Sequence, residues 1–400
     1  MSKVSIPFEP SSLSSWQAQL QKELKENSSL LEFNSDIEGL QLSLTELEGE
    51  QLQTTPNEVF NWKRMVNISA QQEKIGNTRL LSALMQGADA IYIENADTTT
   101  NWSTLLSDIE TEYIDCLISF KSKEALTHFY TSAEAKHQSN CTLLQTSGAE
   151  QNLFNGFSLQ QIGANCATQL AGVLIDLQQH LERNAASKTL YFELGIGADF
   201  LLEIAKIKAF CALVAQLQEI HSTQFDIQLI SKTGFCNKSL MDPYTNLLRQ
   251  ATEALSAVLG GAHFICIQPY DALNASGSSA FSQRMALNIG NLLNEEAQLA
   301  YLQTPIAGAY AVEQLALALT KKSWQLLCDL DADQQQASAM LKKEIERTRK
   351  IRAERFLTAQ DTLIGINAYE NPFAKPTETW GAIPEAYGFP YLIFEKLSNK

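Results

Sequence analysis

The chain has 400 residues, 45% of them hydrophobic, enough to bury the core of one large domain or two ordinary ones. Its formal charge of −15 opposes binding to nucleic-acid phosphate or anionic lipid, because such partners require clustered Lys and Arg. No stretch approaches the roughly 18 apolar residues of a membrane span, and the N-terminus lacks the basic and apolar regions of a signal peptide. We therefore expect a cytoplasmic globular protein that binds neither nucleic acid nor membrane.

Residues 1–55 are polar and predict an N-terminal arm. The stretch DIEGLQLSLTELEGE is acidic, and an amphipathic helix is predicted where Trp16, Leu20 and Leu24 recur at four-residue spacing. Because such an arm has few apolar residues to pack in its own chain, it favours a clasp on a partner protein.

From about residue 75, short β-rich apolar runs alternate with long amphipathic helical periods. Seven strands are predicted: ADAIYIEN from Ala88, YIDCLISF from Tyr113, CTLLQTS from Cys141, FSLQQIG from Phe157, TLYFELGIG from Thr189, FDIQLISKTG from Phe225 and AHFICIQPYDA from Ala262. A weaker eighth candidate is TPIAGAYA from Thr304. The clearest helix starts at Asp199 and is expected to expose Lys206, Lys208 and Gln218.

Strands that alternate with helices predict βαβ units and a parallel sheet. Seven or eight such repeats favour a (β/α)₈ TIM-type barrel over an open doubly wound sheet, and we assign the barrel to residues 56–370. Residues 371–400 are rich in Pro and Gly near their start, which indicates an extended C-terminal tail that wraps or links.

No motif identifies a catalytic chemistry by itself. GIGADF, Gly195–Phe200, stands where a dinucleotide fingerprint would, but the third glycine position is occupied by Phe200, and a tight βα turn is the simpler interpretation. The sequence contains no GxSxG, P-loop or HExxH motif, and its seven cysteines form no CxxC. We expect no metal site, reduced cysteines that act as small apolar side chains, and structural roles for the histidines, with His180 and His221 near helix ends and His263 opening a strand.

Five segments resemble the barrel of the methylmalonyl-CoA mutase family. DPYTNLLRQATEALSAVLGGAHF, from Asp242, is similar to the family pattern DPYxNxxRxTxxAxAAxxGG. The segments from Gly195, Phe281 and Arg355 resemble the family's GxxFFxEIAKxRA, fSxRiARN and RkxxivGVNxY patterns, and NGFSLQQIGA from Asn155 is similar to SGYHxQEAGA. The segments follow the family's order over about residues 75–370, and the resemblance implies the family's TIM-type barrel.

The departures from the family pattern imply a non-catalytic chain. Ser158 stands in place of the histidine of SGYHxQEAGA, and the strand before DPY lacks the family's Arg-Thr-His. Leu287 replaces the arginine of the ARN motif, Thr304 replaces the aspartate of DPAGG, and the first barrel strand, expected at IYIENADTTTNW, lacks an Arg-Gly-Tyr stretch. Such groups would hold a thioester carbonyl and guide a migrating radical. The residual polar groups at the barrel mouth are Ser158, Gln160 and Lys232, and no catalytic or cofactor-binding residue is expected.

The resemblance therefore implies the family's small subunit. Catalytic chains carry a DxHxxG motif whose histidine coordinates cobalt, and none of the five histidines here has Asp two residues earlier. We expect adenosylcobalamin to be bound by a large catalytic partner chain in a heterodimer that isomerises (R)-methylmalonyl-CoA to succinyl-CoA in propionate metabolism. This chain would supply stability and assembly. Two alternatives stay open: a self-standing barrel enzyme that uses Gln160 and Lys232, and a CoA-binding protein without mutase activity.

Overall fold

The computed structural model describes most of the chain between residues 61 and 398 and a small part of what precedes it. The described residues are 12–24, 35–37, 40, 61–148, 150–183, 188–301, 306, 308–373, 375–376 and 378–398. The region that we predicted to clasp a partner, residues 1–55, therefore lies mostly outside the described residues.

Eight parallel strands form one sheet. They are β1 Lys63–Ser69, β2 Ala90–Ala96, β3 Asp115–Phe120, β4 Cys141–Gln145, β5 Leu153–Asn155, β6 Thr189–Ile196, β7 Asp226–Thr233 and β8 Phe264–Cys266. Their order is β4-β3-β2-β1-β8-β7-β6-β5, so β1 pairs with β8 and the sheet curls round to bring β4 towards β5. All neighbouring strands are parallel, β1 pairs with β8, and one or more helices separate every two consecutive strands except β4 and β5, so the (β/α)₈ TIM-type prediction is confirmed.

The remaining seam of the barrel, between β4 and β5, is bridged by Asn152. Its backbone N donates to the Gln145 carbonyl oxygen at 3.1 Å, and its side-chain oxygen accepts from the Gln145 N at 2.7 Å. Its Nδ2 also donates to the Leu143 carbonyl oxygen at 2.9 Å. One amide side chain thus replaces a ladder hydrogen-bond pair at the point where the strands diverge.

Two strand predictions were wrong in position. FSLQQIG forms a short helix, and the strand β5 precedes it, with Gly156 between the two because a Cβ there would lie 2.7 Å from Val173 Cγ2. The first barrel strand is β1 and not IYIENADTTTNW, which forms β2 and the loop after it. In the weak candidate from Thr304, residues 304, 305 and 307 lie outside the described residues, while Tyr310 begins a helix.

Helices surround the sheet. They are α1 Leu13–Leu24, α2 Glu73–Met85, α3 Trp102–Leu105, α4 Lys123–Ser132, α5 Ala135–Asn140, α6 Phe157–Gln161, α7 Cys166–Glu182, α8 Phe200–Ile220, α9 Thr245–Gly260, α10 Ala280–Asn291, α11 Tyr310–Asp331, α12 Ala337–Leu357 and α13 Phe394–Leu397. The helix predicted in the arm and the helix predicted from Asp199 are both present, as α1 and α8. Within the described ranges, no helix combines the length and the apolarity that crossing a membrane requires.

Residues 35–37 and Leu40 of the N-terminal arm are docked on the barrel. Ile37 and Leu40 are each 5% exposed and belong to the main core, which lies between the barrel and its outer helices α7, α8 and α11. The Asp36 carboxylate pairs with Arg352 on α12 at 3.3 Å, and the Ser35 carbonyl accepts from Arg355 at 3.1 Å. The arm therefore contributes apolar residues to the core, which its polar composition did not predict.

Helix α8 is covered on more than one side, which corrects the prediction of its exposed face. Lys206 and Gln218 are buried, and Lys208 is half-buried beside Glu313 of α11. The Lys206 ammonium pairs with Glu203 and donates to the Gly195 carbonyl at 2.5 Å, which compensates the charge inside the core. Packing against α9 and α11 explains the burial.

Candidate functional site

Charged side chains meet inside the barrel at the carboxyl ends of its strands. Lys232, near the end of β7, places its Nζ 2.5 Å from Oε1 of Glu94 on β2 and 3.5 Å from Oε2 of Glu193 on β6. Alternation along the strands points all three side chains to the lumen, above an apolar layer that contains Met65 and Ile230. The carboxyl end is where barrel enzymes carry their active sites, so we treat this group as the candidate site.

Neutral side chains extend the group into a network across the barrel. The Tyr92 hydroxyl donates to Glu193 at 2.7 Å, and the Asn67 amide donates to Glu94. The Gln268 amide, just beyond β8, donates in turn to the Asn67 oxygen at 3.1 Å. The barrel interior is therefore crosslinked from β1, β2, β6 and β7 to the segment after β8.

Lys232 and Glu193 are almost completely shielded from solvent, and Glu94 is partly buried. Lys232 is 3% exposed and Glu193 is 1% exposed. Burial raises the pKa of Glu193, and the Lys232 charge opposes that rise. For Lys232, burial would lower the pKa, but the attraction of Glu193 and Glu94 outweighs it and leaves the pKa above the ordinary lysine value. Lys232 is thus a protonated cation at neutral pH and not an available base.

Of the three mouth residues predicted from the sequence, Lys232 lies in the network and the other two lie beside it. Gln160, on α6, fills space left by glycines: a Cβ on Gly195 would lie 2.5 Å from its Oε1, and one on Gly234 would lie 2.7 Å away. That Oε1 accepts from the Gln161 amide. Ser158 is half-buried and hydrogen-bonds to Tyr391, whose pKa is raised by burial and lowered in part by this bond.

A layer of aromatic and aliphatic side chains covers the network. Phe157 lies with its ring centroid 4.6 Å from the Lys232 Nζ, and it packs edge-on against Phe235 with centroids 6.3 Å apart. Ile393 of the C-terminal tail joins these two rings in one buried cluster, against which Trp380 and Tyr391 of the tail also pack. The tail, predicted to wrap or link, therefore lies over the barrel mouth.

Hydrogen bonds hold the tail in this place. The Leu392 N donates to the Gln161 carbonyl at 2.7 Å, and the Phe394 N donates to the Cys236 carbonyl at 2.9 Å. Glu395, on α13, is 3% exposed and accepts from the Ser239 hydroxyl at 2.7 Å. The same carboxylate also accepts from the backbone N of Leu240 and of Met241 at 2.9 and 3.0 Å. A carboxylate with three donors ties the tail to the loop after β7.

The glycine motif and the histidines that we considered for chemistry have structural roles in the fold. At GIGADF, the Asp199 side chain caps α8 by accepting from the Leu202 N at 3.2 Å, and the glycines accommodate Gln160, which leaves no cradle for a phosphate. His263 Nδ1 accepts from the Leu229 N at 3.1 Å. His180, near the end of α7, is buried with its ring edge-on to Phe154.

Glu94, Glu193 and Tyr92 were not predicted as site residues. The signal that could have found them is a lone carboxylate inside an apolar β-rich run, as in AIYIENA and TLYFELGI. A buried acid within such a run requires a compensating partner. The sequence does not show, however, that β2 and β6 face the same Lys232 across the lumen.

Comparison with known proteins identifies the family. The methylmalonyl-CoA mutase family model matches residues 127–385. The methylmalonyl-CoA mutase of Cereibacter sphaeroides is 30% identical over 241 residues, which are 56% of this chain and 34% of that protein. The protein named methylmalonyl-CoA mutase small subunit in Porphyromonas gingivalis is 30% identical over 189 residues, which are 45% of this chain and 30% of that protein.

The matched region spans about a third of the length of these curated relatives. Among solved structures, the DHPS of Yersinia pestis matches 66% of this chain and 99% of its own at 14% identity, with a TM-score of 0.32, too low to support an argument. The family model, in contrast, covers more than half of the sequence. The chain belongs to the methylmalonyl-CoA mutase family.

Proposed function

We propose that this chain is a small, non-catalytic subunit of an adenosylcobalamin-dependent methylmalonyl-CoA mutase. It would support a larger chain that isomerises (R)-methylmalonyl-CoA to succinyl-CoA in propionate metabolism, in the cytoplasm. The observation that carries the proposal is the occupied barrel mouth, where the Lys232 network and the tail fill the position that a barrel enzyme gives to its substrate. The Porphyromonas gingivalis relative, which is named a small subunit, supports the same assignment.

The residues at the mouth do not fit adenosylcobalamin. A broad, flat cofactor needs an open face, and here Trp380, Tyr391 and Ile393 pack over that face. We therefore assign the cofactor to the partner chain and derive no chemical step through it in this one.

The residual polar groups also lack the freedom that substrate binding requires. Lys232 is paired with Glu94 and contacts Glu193, so its charge is already compensated and cannot be offered to a thioester carbonyl without leaving the buried Glu193 and the partly buried Glu94 unpaired. Gln160 is confined among glycines at the ends of β6 and β7. These contacts favour a structural role over the alternative of a repurposed enzyme at the same mouth.

Helix α1 is the segment that we assign to the partner. Its Trp16 is 39% exposed, and Leu20 and Leu24, on the same side of the helix, are only partly buried. An apolar stripe of this kind is suited to a groove on another protein. In the heterodimer, the large chain would then bind the CoA thioester.

The test is co-expression of this chain with the large mutase chain of the same organism, followed by co-purification. Succinyl-CoA formation with added adenosylcobalamin is then measured for this chain, for the large chain and for the complex. We expect no turnover by this chain, turnover by the complex, and slower loss of activity on heating when both chains are present. Turnover by this chain alone would refute the non-catalytic assignment.

Two variants locate the contact with the partner. Trp16→Ala combined with Leu20→Ala should reduce co-purification, because both substitutions remove apolar side chains from one stripe of α1. Lys22→Ala, an exposed change on the same helix, is the matched control and should leave the complex intact. Equal recovery of the complex with both variants would show that α1 is not the clasp.

A further inference from the structure

Two cysteines on neighbouring strands face one another on the outer side of the barrel. Cys116 on β3 and Cys141 on β4 are direct partners in the parallel ladder, and both are free thiols. Their Sγ atoms are 3.1 Å apart, with the Cys141 thiol donating to that of Cys116. Neighbouring strands lie about 4.8 Å apart, within the Cα separation of roughly 4.4–6.8 Å that disulfides require. Bond formation therefore requires the sulfurs to approach by only about 1 Å.

We propose that Cys116 and Cys141 are a modification site, a dithiol that forms an intramolecular disulfide in the folded chain. The inference rests on this geometry and is independent of the proposed function. The bond would join β3 to β4, the strand that borders the seam bridged by Asn152. It would thus add a covalent link next to the seam where β4 and β5 are not paired.

The two thiols have different access, which sets the order of the reaction. Cys116 is 1% exposed and belongs to the apolar cluster between the barrel and the helices α2 to α4, whereas Cys141 is only partly buried. The interaction with the Cys141 thiol, together with burial, raises the pKa of Cys116 well above the ordinary thiol value. The outer thiol, Cys141, therefore reacts first.

The oxidant belongs to the class of small disulfides, RSSR. The Cys141 thiolate attacks one sulfur of RSSR, the S–S bond of the oxidant breaks, and RS⁻ leaves and takes up a proton. Cys116 then loses its proton, and its sulfur attacks the Sγ of Cys141, which expels the second RS⁻. Two protein thiols are oxidised and one small disulfide is reduced to two thiols, so electrons and protons balance. Because Cys116 is seldom a thiolate, the second step is the slow one.

The experiment treats the folded full-length chain with cystamine at neutral pH, blocks free thiols under denaturing conditions and maps the peptides by mass spectrometry. We expect the peptides that contain Cys116 and Cys141 to be linked, with the loss of two hydrogens. Cys328 is exposed and should form a mixed disulfide with one cysteamine group, with no link to another cysteine. Its modification shows that the oxidant was active. In urea, the linked chain should unfold with an equilibrium constant lower on the order of a hundredfold, because the closed loop constrains the unfolded chain.

A variant separates this site from an ordinary accessible thiol. Cys116→Ala lacks the second sulfur, so the mixed disulfide at Cys141 should persist, whereas in the unaltered chain it should be consumed as the bond between Cys116 and Cys141 forms. If Cys328 is modified but the Cys116 and Cys141 peptides remain unlinked in the unaltered chain, the proposal is wrong. That result decides the matter even if the variant fails to fold.

Discussion

Replacing Lys232 by Met tests the buried ion network most directly. Met keeps an unbranched chain that is one atom shorter and removes the charge that faces Glu94 at 2.5 Å and Glu193 at 3.5 Å. Removal of one partner from a buried ion pair typically costs about 3–5 kcal/mol, because the other charge is left without compensation. We therefore expect Lys232→Met to lower the free energy of unfolding by about that amount at pH 8.

The loss should depend on pH in a defined direction. Without Lys232, burial and the neighbouring Glu94 charge both raise the pKa of Glu193, whose ordinary value is 4.5. A carboxyl group with a folded-state pKa above its unfolded-state value stabilises the fold fully below the unfolded pKa, and this contribution is lost as pH rises through the folded pKa. The deficit of the variant should therefore be smallest near pH 4.5 and should grow towards pH 8.

The assay is urea unfolding followed by tryptophan fluorescence, for which buried Trp62 and Trp102 are suitable reporters. Lys121→Met is the matched control: Lys121 pairs with Asp97 at 3.1 Å but is largely solvated, so the cost should stay below about 1 kcal/mol. Glu193→Gln added to Lys232→Met should restore part of the stability at pH 8. A Lys232→Met chain that is as stable as the control variant, without pH dependence, would refute the network.

Three further changes follow from the same geometry. Glu395→Ala should cost about 2–3 kcal/mol and accelerate hydrogen exchange in residues 378–398, because it leaves two backbone N–H groups and a hydroxyl unpaired; exchange unchanged from that of the parent chain would contradict the clamp. Gly195→Ala should cost about 1–3 kcal/mol in urea unfolding, since its Cβ would overlap Gln160, and Gln160→Ala in the same chain should recover much of it. Burial raises the pKa of Asp176 to about 6, so the stabilising contribution of the protonated carboxyl group is lost as pH rises through 6. Asp176→Asn should therefore stabilise the chain by about 1–2 kcal/mol at pH 8 but not at pH 4. Urea unfolding at both pH values measures this difference.

The strands that the sequence predicts well are those rich in β-branched and aromatic residues. Strands β2, β3, β6 and β7 are largely buried on both faces, one against the lumen and one against helices, and β-rich runs are typical of that environment. Strand β1 begins with Lys63 and Arg64, which resemble a loop until their partners are known. Those partners are Asp115 on β3 and Asp89 beside β2, so only the folded barrel explains the charges.

The candidate site was predictable in kind but not in arrangement. Lys232 stood out as a cation at the end of a β-rich run, and the structure places it in the lumen. Its carboxylate partners come from strands that are distant in sequence, and their convergence depends on the closure of the sheet. Similarly, the burial of Lys206 depends on the helices packed around α8, which the pattern of α8 alone does not contain.

Because the tail covers the barrel mouth, we predict that coenzyme A does not bind. In the alternative of a CoA-binding protein, coenzyme A would have to enter the barrel. Entry would break the hydrogen bonds from Leu392 and Phe394 and expose the buried Leu392 and Ile393 side chains. At about 1 kcal/mol for each bond and about 1.5–3 kcal/mol for each side chain, opening costs roughly 5–8 kcal/mol. Since an open state that rare weakens apparent affinity by a factor on the order of a thousand or more, calorimetric titration with coenzyme A should show no binding at micromolar concentrations. Saturable micromolar binding that Glu395→Ala leaves unchanged would show that the tail does not close the barrel, and the CoA-binding alternative would then be preferred.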